Sequence, residues 1–198
     1  GAKVANAFSA NLSIIHVGKK SKAMIEGEVS LARITMGEWN ILHPGIEVLN
    51  WAYETLKEFD TIEIDPEAEL KPENYVTHTK RITLSIPQSS GRDVELILRE
   101  GEMIEETSKD IDEFKFDLAI IGCPKKKRNT HQVVQFFNTS VLIVKNFKKD
   151  WTYKIQLCVD DSRATKRAVV FGAKIANHYK KEVKLLTVSK TNLFKSGY

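Results

Sequence analysis

Four consecutive cations, Lys125 to Arg128, form a dense group of chemically active side chains in the sequence. They follow a short apolar run that ends at Gly122. Lysine side chains beside the start of a helix can neutralise a phosphate as point charges. The same run can contact the phosphate backbone of a nucleic acid. A solvated surface loop is the third interpretation, and the residues alone leave all three open.

Signals for catalysis are weak. The five histidines are scattered along the chain, and none lies at a metal-ligand spacing from cysteines or carboxylates. There is no G-x-S-x-G nucleophile motif. Cys123 follows an apolar run, where a helix N-terminus can lower a thiol pKa, but no partner residue accompanies it. We therefore expect no enzymatic activity and no bound metal.

The composition is ordinary for a globular protein. The chain has 198 residues, of which 42% are hydrophobic and 28% are charged, enough to build a core and to exclude disorder throughout. No apolar run approaches the roughly 20 residues that span a bilayer. The net charge of +4 is small for a dedicated nucleic-acid-binding protein. Two cysteines and the lack of a leader-like start predict a cytoplasmic protein. The lack of a spanning run predicts no membrane partner, and the small net charge argues against a nucleic-acid partner.

The sequence contains an internal repeat. Residues 1–20 and 172–191 align without a gap, and each copy consists of a helix pattern, a short turn and an apolar strand. The spacing of about 170 residues is too long for a solenoid and indicates tandem domains. Because the first copy begins without Met inside a predicted helix, we expect further residues before Gly1. The identical pairs are Gly1/Gly172, Ala2/Ala173, Lys3/Lys174, Ala5/Ala176 and Asn6/Asn177, and Phe8 aligns with Tyr179.

Strands and helices alternate along the chain. Residues 153–188 predict a strand–helix–strand unit of the kind that joins parallel strands, with Ser162 as the N-cap of its helix. Residues 117–122 and 141–145 are short apolar strands, typical of a parallel sheet covered on both faces. These patterns favour an α/β protein with an open, doubly wound parallel sheet and a crevice at the carboxyl ends of its strands.

The middle of the chain continues this pattern. Residues 44–59 predict a helix with one apolar face, and residues 81–86 and 93–99 predict strands joined as a hairpin. Residues 18–42 and 60–80 are interpreted as loops or insertions. The predicted buried side of the first helix consists of Ile46, Leu49, Ala52, Tyr53, Leu56 and Phe59. Residues 102–114 predict a helix with a solvated acidic face and first turn, formed by Glu102, Glu105, Glu106 and Asp110.

The segments 94–122, 139–145 and 153–188, together with residues 1–17, resemble the universal stress protein family. The resemblance implies an open doubly wound sheet of the adenine nucleotide alpha hydrolase type. On the family's order of elements, residues 1–149 are a universal stress protein-like domain that lacks its first strand. Residues 150–198 then supply the first strand, helix and second strand of a second repeat.

The same resemblance implies a nucleotide site, since many members bind ATP. Asp160 matches an aspartate that faces adenine and ribose, where a carboxylate can accept hydrogen bonds from hydroxyl or amine groups; capping of the following helix is the alternative role. Gly122 matches the first glycine of the family's phosphate loop, but Lys125 replaces the second. Ser140 lies close to the family's Gly-Ser serine, and Val17 completes the implied cofactor-binding set. We expect the first repeat to bind ATP weakly or not at all.

The missing first strand is central in the family's sheet. We expect residues 153–159, from this chain or a neighbouring copy, to fill the gap and to bring Asp160 near Gly122 and Lys125. The sequence thus predicts a non-enzymatic stress-response module that forms a homodimer through the last strand of the domain and senses an adenine nucleotide with a degenerate ATP-binding loop. The alternatives are a nucleotide-handling α/β enzyme of the related superfamily and a basic nucleic-acid-interacting protein.

Overall fold

The computed structural model describes residues 1–18, 44–58, 76–78, 81–86, 92–122, 128–146, 148, 153–160 and 162–187. The chain divides into two compact units, one with Gly1–Ala2 and Asn11–Phe147, the other with Lys3–Ala10 and Lys148–Tyr198. The predicted α/β class is confirmed. In chain order the elements are α1 (Ala2–Phe8), β1 (Leu12–Gly18), α2 (Pro44–Glu58), β2 (Val76–His78), β3 (Arg81–Ile86), β4 (Val94–Glu100), α3 (Met103–Phe114), β5 (Leu118–Gly122), α4 (Arg128–Phe136), β6 (Ser140–Val144), β7 (Ile155–Val159), α5 (Arg163–His178) and β8 (Val183–Thr187).

A four-stranded mixed sheet forms the larger part of the first unit. Its strand order is β1-β4-β3-β2. β1 runs parallel to β4, with Leu12 opposite Val94, and β3 runs antiparallel to β4, with Arg81 opposite Arg99. The predicted hairpin is therefore confirmed. β5 and β6 form a separate parallel pair.

The described strands do not form the open, doubly wound parallel sheet that the sequence predicted. They form three sheets, one of which is mixed. β2 accounts for part of the difference, since residues 60–80 were interpreted as a loop and Val76–His78 instead pair with β3. Val76 and Thr77 are β-formers that lie opposite Thr83 and Ile82, so cross-strand pairing outweighs the polar surroundings that suggested a loop.

Helix α2 covers one face of the mixed sheet. Its apolar residues recur at helical spacing and contact alternate residues of β3 and β4, because side chains of a strand point in turn to opposite faces. The predicted buried side of this helix is confirmed from Ile46 to Leu56, while Phe59 lies outside the described residues. The cluster consists of Ile46, Leu49, Tyr53, Leu56, Leu84, Ile86, Val94, Leu96 and Leu98.

Helices α3 and α4 pack on the β5–β6 pair. Ile111 from α3 meets Val133 from α4 and Phe137 in a second buried cluster. Ala119 and Ile121 of β5 and Val141 of β6 pack against it. The short, apolar strands predicted here are confirmed, because a parallel pair with helices on it needs apolar side chains on nearly every residue.

The second unit contains the predicted strand–helix–strand motif. β7 and β8 pair in parallel, with Leu157 opposite Leu185, and α5 connects them. Gly172 of α5 lies so close to β7 that an added Cβ would come within 2.4 Å of Leu157 Cδ2. A glycine here allows the helix to approach the strand closely. None of the helices in the described part of the chain has both the length and the apolar content to cross a bilayer.

Candidate functional site

The junction between β7 and α5 holds Asp160, the predicted ribose contact. Its Oδ1 accepts hydrogen bonds from the Ser162 backbone N–H at 2.9 Å and from Thr165 Oγ1 at 2.5 Å. Ser162 is the N-cap residue, as predicted, and its Oγ accepts from the Thr165 N–H at 3.1 Å. Two short side chains thus satisfy donors that the first turn of a helix leaves without intrahelical partners.

Asp160 is ionised at neutral pH. Hydrogen bonding to Ser162 and Thr165 lowers the pKa of its carboxyl to about 2. The residue is exposed, and its negative charge is favoured by the positive end of the α5 dipole. An exposed carboxylate held in one orientation can accept hydrogen bonds from a ligand's hydroxyl or amine groups. It repels a phosphate from the same place.

Gly122 ends β5 at the carboxyl edge of the β5–β6 pair. It is exposed, and a Cβ added to it would meet nothing within 4 Å. Its φ is not positive, since Gly101 is the positive-φ glycine of the described residues. Neither space nor backbone conformation therefore requires glycine at this position. Lys125 and Cys123 lie outside the described residues, and Arg128 begins α4.

Ser140 does not join Gly122 in a phosphate site. In the parallel ladder Ser140 lies opposite Leu118, and Gly122 lies opposite Val144. The two residues are thus at opposite ends of the strand pair, separated by four residues of strand or about 13 Å. The reason is topological. A helix that connects parallel strands returns the chain to the opposite edge, so the residue before β6 cannot face the residue that ends β5.

Val17 lies near the carboxyl end of β1, opposite Arg99 of β4. The next residue, Gly18, accepts a hydrogen bond from the Gly101 backbone N–H at 2.9 Å. Gly101 has a φ of +150°, and a Cβ there would lie 2.9 Å from Glu106 Cγ. Val17 therefore belongs to the first unit, at the edge where β4 turns into α3, whereas Asp160 belongs to the second unit.

The composite sheet in which residues 153–159 complete the first domain has no supporting ladder. β7 pairs with β8, and the described residues contain no ladder from β7 to β5 or β1. The β1 and β5 strands stay in separate sheets of the first unit. The predicted approach of Asp160 to Gly122 and Lys125 remains a prediction.

A buried charge network is the feature that the sequence interpretation missed. Arg99 of β4 donates through Nε to Asp110 Oδ1 of α3 at 2.9 Å and forms a second, shorter bond to the same oxygen through Nη2. Its Nη1 lies 3.4 Å from Glu106 Oε2. The Asp110 hydrogen bond is the main cause that raises the pKa of Arg99 above its ordinary value.

Arg81 extends the network along the sheet. Its Nη2 lies 3.4 Å from Glu95 Oε2, and its Nε lies 3.5 Å from Asp110 Oδ1. Ser13 of β1 donates to the same Glu95 oxygen at 3.1 Å. The Arg81 guanidinium also lies 4.3 Å from the centre of the Phe114 ring. The sheet face opposite α2 thus carries these charged residues beside the buried Ile97, and α3 lies over it.

The predicted solvated acidic face of α3 is wrong for Glu106 and Asp110. Asp110 is only 2% exposed, and Glu106 is also buried, whereas Glu102 and Glu105 are exposed as expected. The sequence did contain a signal. Glu95 and Arg99 share one face of β4, and Glu106 and Asp110 share one face of α3, so an arginine on the strand and two carboxylates on the helix were available for pairing.

Metal ligation finds no support in the described ranges. They contain no group of three His, Cys, Asp or Glu side chains that could hold a metal ion. Cys158 is a free, exposed thiol on β7. In the comparisons with known proteins, no family model, no curated protein and no solved structure matches this chain.

Proposed function

We propose that the chain is a non-enzymatic, nucleotide-sensing module similar to universal stress proteins. In this proposal Asp160 binds the ribose of an adenine nucleotide at the β7–α5 junction. The observation that carries the proposal is the ionised, exposed carboxylate at the carboxyl end of a parallel strand, fixed by Ser162 and Thr165. Ligands of open α/β sheets bind in this position, outside the carboxyl ends of the strands.

The chemistry of this junction favours the sugar and base over the phosphates. The hydrogen bonds that Asp160 accepts from Ser162 and Thr165 end on Oδ1, so among the described residues Oδ2 is left as an acceptor for a ribose hydroxyl. A carboxylate at a helix N-terminus occupies the place where an anion would otherwise bind. We therefore expect adenosine to bind about as well as ATP.

Titration calorimetry with adenosine and with ATP tests the proposal. Asp160→Asn keeps an oxygen that can cap α5 but replaces Oδ2 by an amide donor. It should weaken adenosine binding about tenfold or more, the usual effect of losing a hydrogen bond to a charged group, and it should lower the melting temperature at neutral pH, where the ionised carboxylate stabilises the start of α5. If Asp160→Asn binds adenosine with wild-type affinity, the proposal is wrong and Asp160 serves only to cap α5.

Ser162→Ala is the matched control. It removes the N-cap oxygen but leaves the Asp160 carboxylate in place. Loss of an N-cap costs about 1 kcal/mol of stability, so this variant should melt earlier than the wild type and still bind adenosine. If Ser162→Ala loses binding to the same degree as Asp160→Asn, the ligand depends on the junction's fold and not on the carboxylate.

Homodimerisation through β6 is the second part of the proposal. In the described residues β6 pairs with β5 alone, and Ile143 is exposed on it, as are Val134 and Phe136 on α4. A strand edge beside apolar side chains is suited to pairing with a second copy. Ile143→Lys should shift sedimentation towards the monomer, whereas Val48→Lys on α2 should not. A dimer that is equally stable in both variants would contradict this interface.

A further inference from the structure

Helices α1 and α5 pack against each other within the second unit. The Phe8 ring stacks on the Phe171 ring, with centroids 4.8 Å apart and planes 19° from parallel. Lys174 Nζ lies 4.8 Å from the centre of the Phe8 ring. Tyr179 donates its hydroxyl proton to the backbone carbonyl of Lys3. The end of α1 thus meets the middle of α5, and its start meets the end of α5, so the helices run antiparallel.

The contacts are reciprocal under the internal repeat. Lys3 aligns with Lys174, and Phe8 aligns with Tyr179. Phe8 contacts Lys174, and Tyr179 contacts Lys3. The same two positions of the repeat therefore contact each other twice, and the helix that supplies the aromatic residue in one contact supplies the lysine in the other. Such reciprocity is the mark of an isologous, two-fold interface. Ala176, which aligns with Ala5, is buried, as is Ala7 of α1.

We propose that α5 carries a self-recognition surface, formed by Phe171, Lys174 and Tyr179, and that α1 occupies it in place of the α5 helix of a second copy. Applying the repeat alignment to α1 turns each observed contact into one between two α5 helices. In such a pair of α5 helices, Tyr179 of the second copy takes the place of Phe8 and contacts Phe171 and Lys174. The partner that this surface fits is therefore another chain of the same sequence.

The properties of α1 suit a displaceable partner. It has seven residues, of which Ala7 is buried. A helix this short is marginal in water without packing, so its helical state depends on α5. Burial raises the pKa of Tyr179, which keeps the hydroxyl protonated and able to donate at neutral pH.

An exchange of the two aromatic residues tests the two-fold relation. Tyr179→Phe should lower the melting temperature by about 2–4 °C, because one hydrogen bond is lost. Adding Phe8→Tyr should restore most of that loss, since a two-fold places the new hydroxyl near the Lys174 carbonyl. A double variant that melts at or below Tyr179→Phe alone would overturn the proposal.

Displacement of α1 tests recognition by a second copy. Phe8→Lys removes the ring stack and sets a cation against Lys174, so the released α5 should add a concentration-dependent association step above the wild-type stoichiometry in sedimentation velocity. Ala10→Lys, with the same added charge on an exposed residue, should behave as the wild type.

Phe171→Lys added to Phe8→Lys should abolish the new association. A folded Phe8→Lys variant that keeps the wild-type stoichiometry would overturn the proposal, as would association that Phe171→Lys leaves unchanged. Circular dichroism verifies that α5 is intact. If Phe8→Lys is unfolded, the aromatic exchange decides the question alone.

Discussion

On folding, the Arg99 and Asp110 side chains lose their contacts with water and pair with each other between β4 and α3. Both lose hydration on burial, and that loss is offset only while the opposite charge and its hydrogen bonds stay in place. Asp110 Oδ2 accepts no hydrogen bond from the described residues, so Oδ1 carries the whole interaction with Arg99. The network is therefore more sensitive to loss of one member than an exposed ion pair is.

Asp110→Ala should lower the free energy of unfolding by about 3–5 kcal/mol, because Arg99 would be left as a buried charge without its main partner. Urea denaturation measures the change. Glu105→Ala is the control on the same helix. Glu105 is exposed and bonds Lys109 at 2.8 Å, and its loss should cost less than about 1 kcal/mol. Equal losses would mean that burial of the network contributes nothing.

Asp160 makes stability depend on acid pH. Its pKa is about 2 in the folded state against 3.8 for the unperturbed group. The folded state therefore binds the proton less tightly than the unfolded chain. This contribution is fully present above about pH 4 and is lost as the pH falls towards 2. Melting temperatures of wild type and Asp160→Asn should converge over this window, and a constant difference from pH 5 to pH 2 would contradict the assignment.

The turn from β4 into α3 depends on Gly101. Its φ of +150° is unfavourable for residues with a side chain, and its position against Glu106 leaves no room for a Cβ. Gly101→Ala should destabilise the protein by about 1–3 kcal/mol in denaturant titrations. Gly122→Ala is the matched control, since the space around Gly122 is open, and it should change stability by less than about 0.5 kcal/mol. Reversed magnitudes would contradict this account.

Helix and strand patterns predicted the elements best where one face is apolar. The spacing of Ile46, Leu49, Tyr53 and Leu56 determines which side of α2 is buried. The run at 153–188 likewise predicts its strand–helix–strand order, because Ser162 marks the start of α5 as its N-cap.

Pairing between elements was harder to predict. The sequence gives no sign that β1 and β5 belong to separate sheets, since each is equally apolar. The crossover rule places Ser140 at the edge of the strand pair opposite Gly122. The match to the family's Gly-Ser serine led instead to the expectation that both residues lie in one site. The burial of Glu106 and Asp110 depends on Arg99, which lies 7 and 11 residues away from them in the sequence. It also depends on Arg81 of the neighbouring strand, and composition alone does not predict these pairs.

Apolar burial is uneven between the two units. The buried apolar residues of the first unit include all of β4 from Leu96 to Leu98, whereas Leu185 of β8 is 67% exposed. β4 has strand partners on both sides, and β8 pairs with β7 alone in the described residues. Local stability follows such differences in burial and hydrogen bonding.

Amide hydrogen exchange should reflect this difference. The β4 amides should exchange at least about 100-fold more slowly than those of β8 at neutral pH, because β4 opens only with its sheet. Mass spectrometry of peptides from the two strands gives the measurement. The shared chain and buffer serve as internal control, and equal protection in the two strands would contradict the expected order of unfolding.

The facing arginines of β3 and β4 also constrain how this sequence can diverge. Arg81 and Arg99 lie directly opposite each other, and like charges in that position repel unless Glu95, Glu106 and Asp110 accompany them. A single exchange at any of these positions is costly, whereas replacement of the whole set by apolar residues of similar volume can be neutral or stabilising. In relatives of this chain these positions should therefore change together, either all ionic or all apolar.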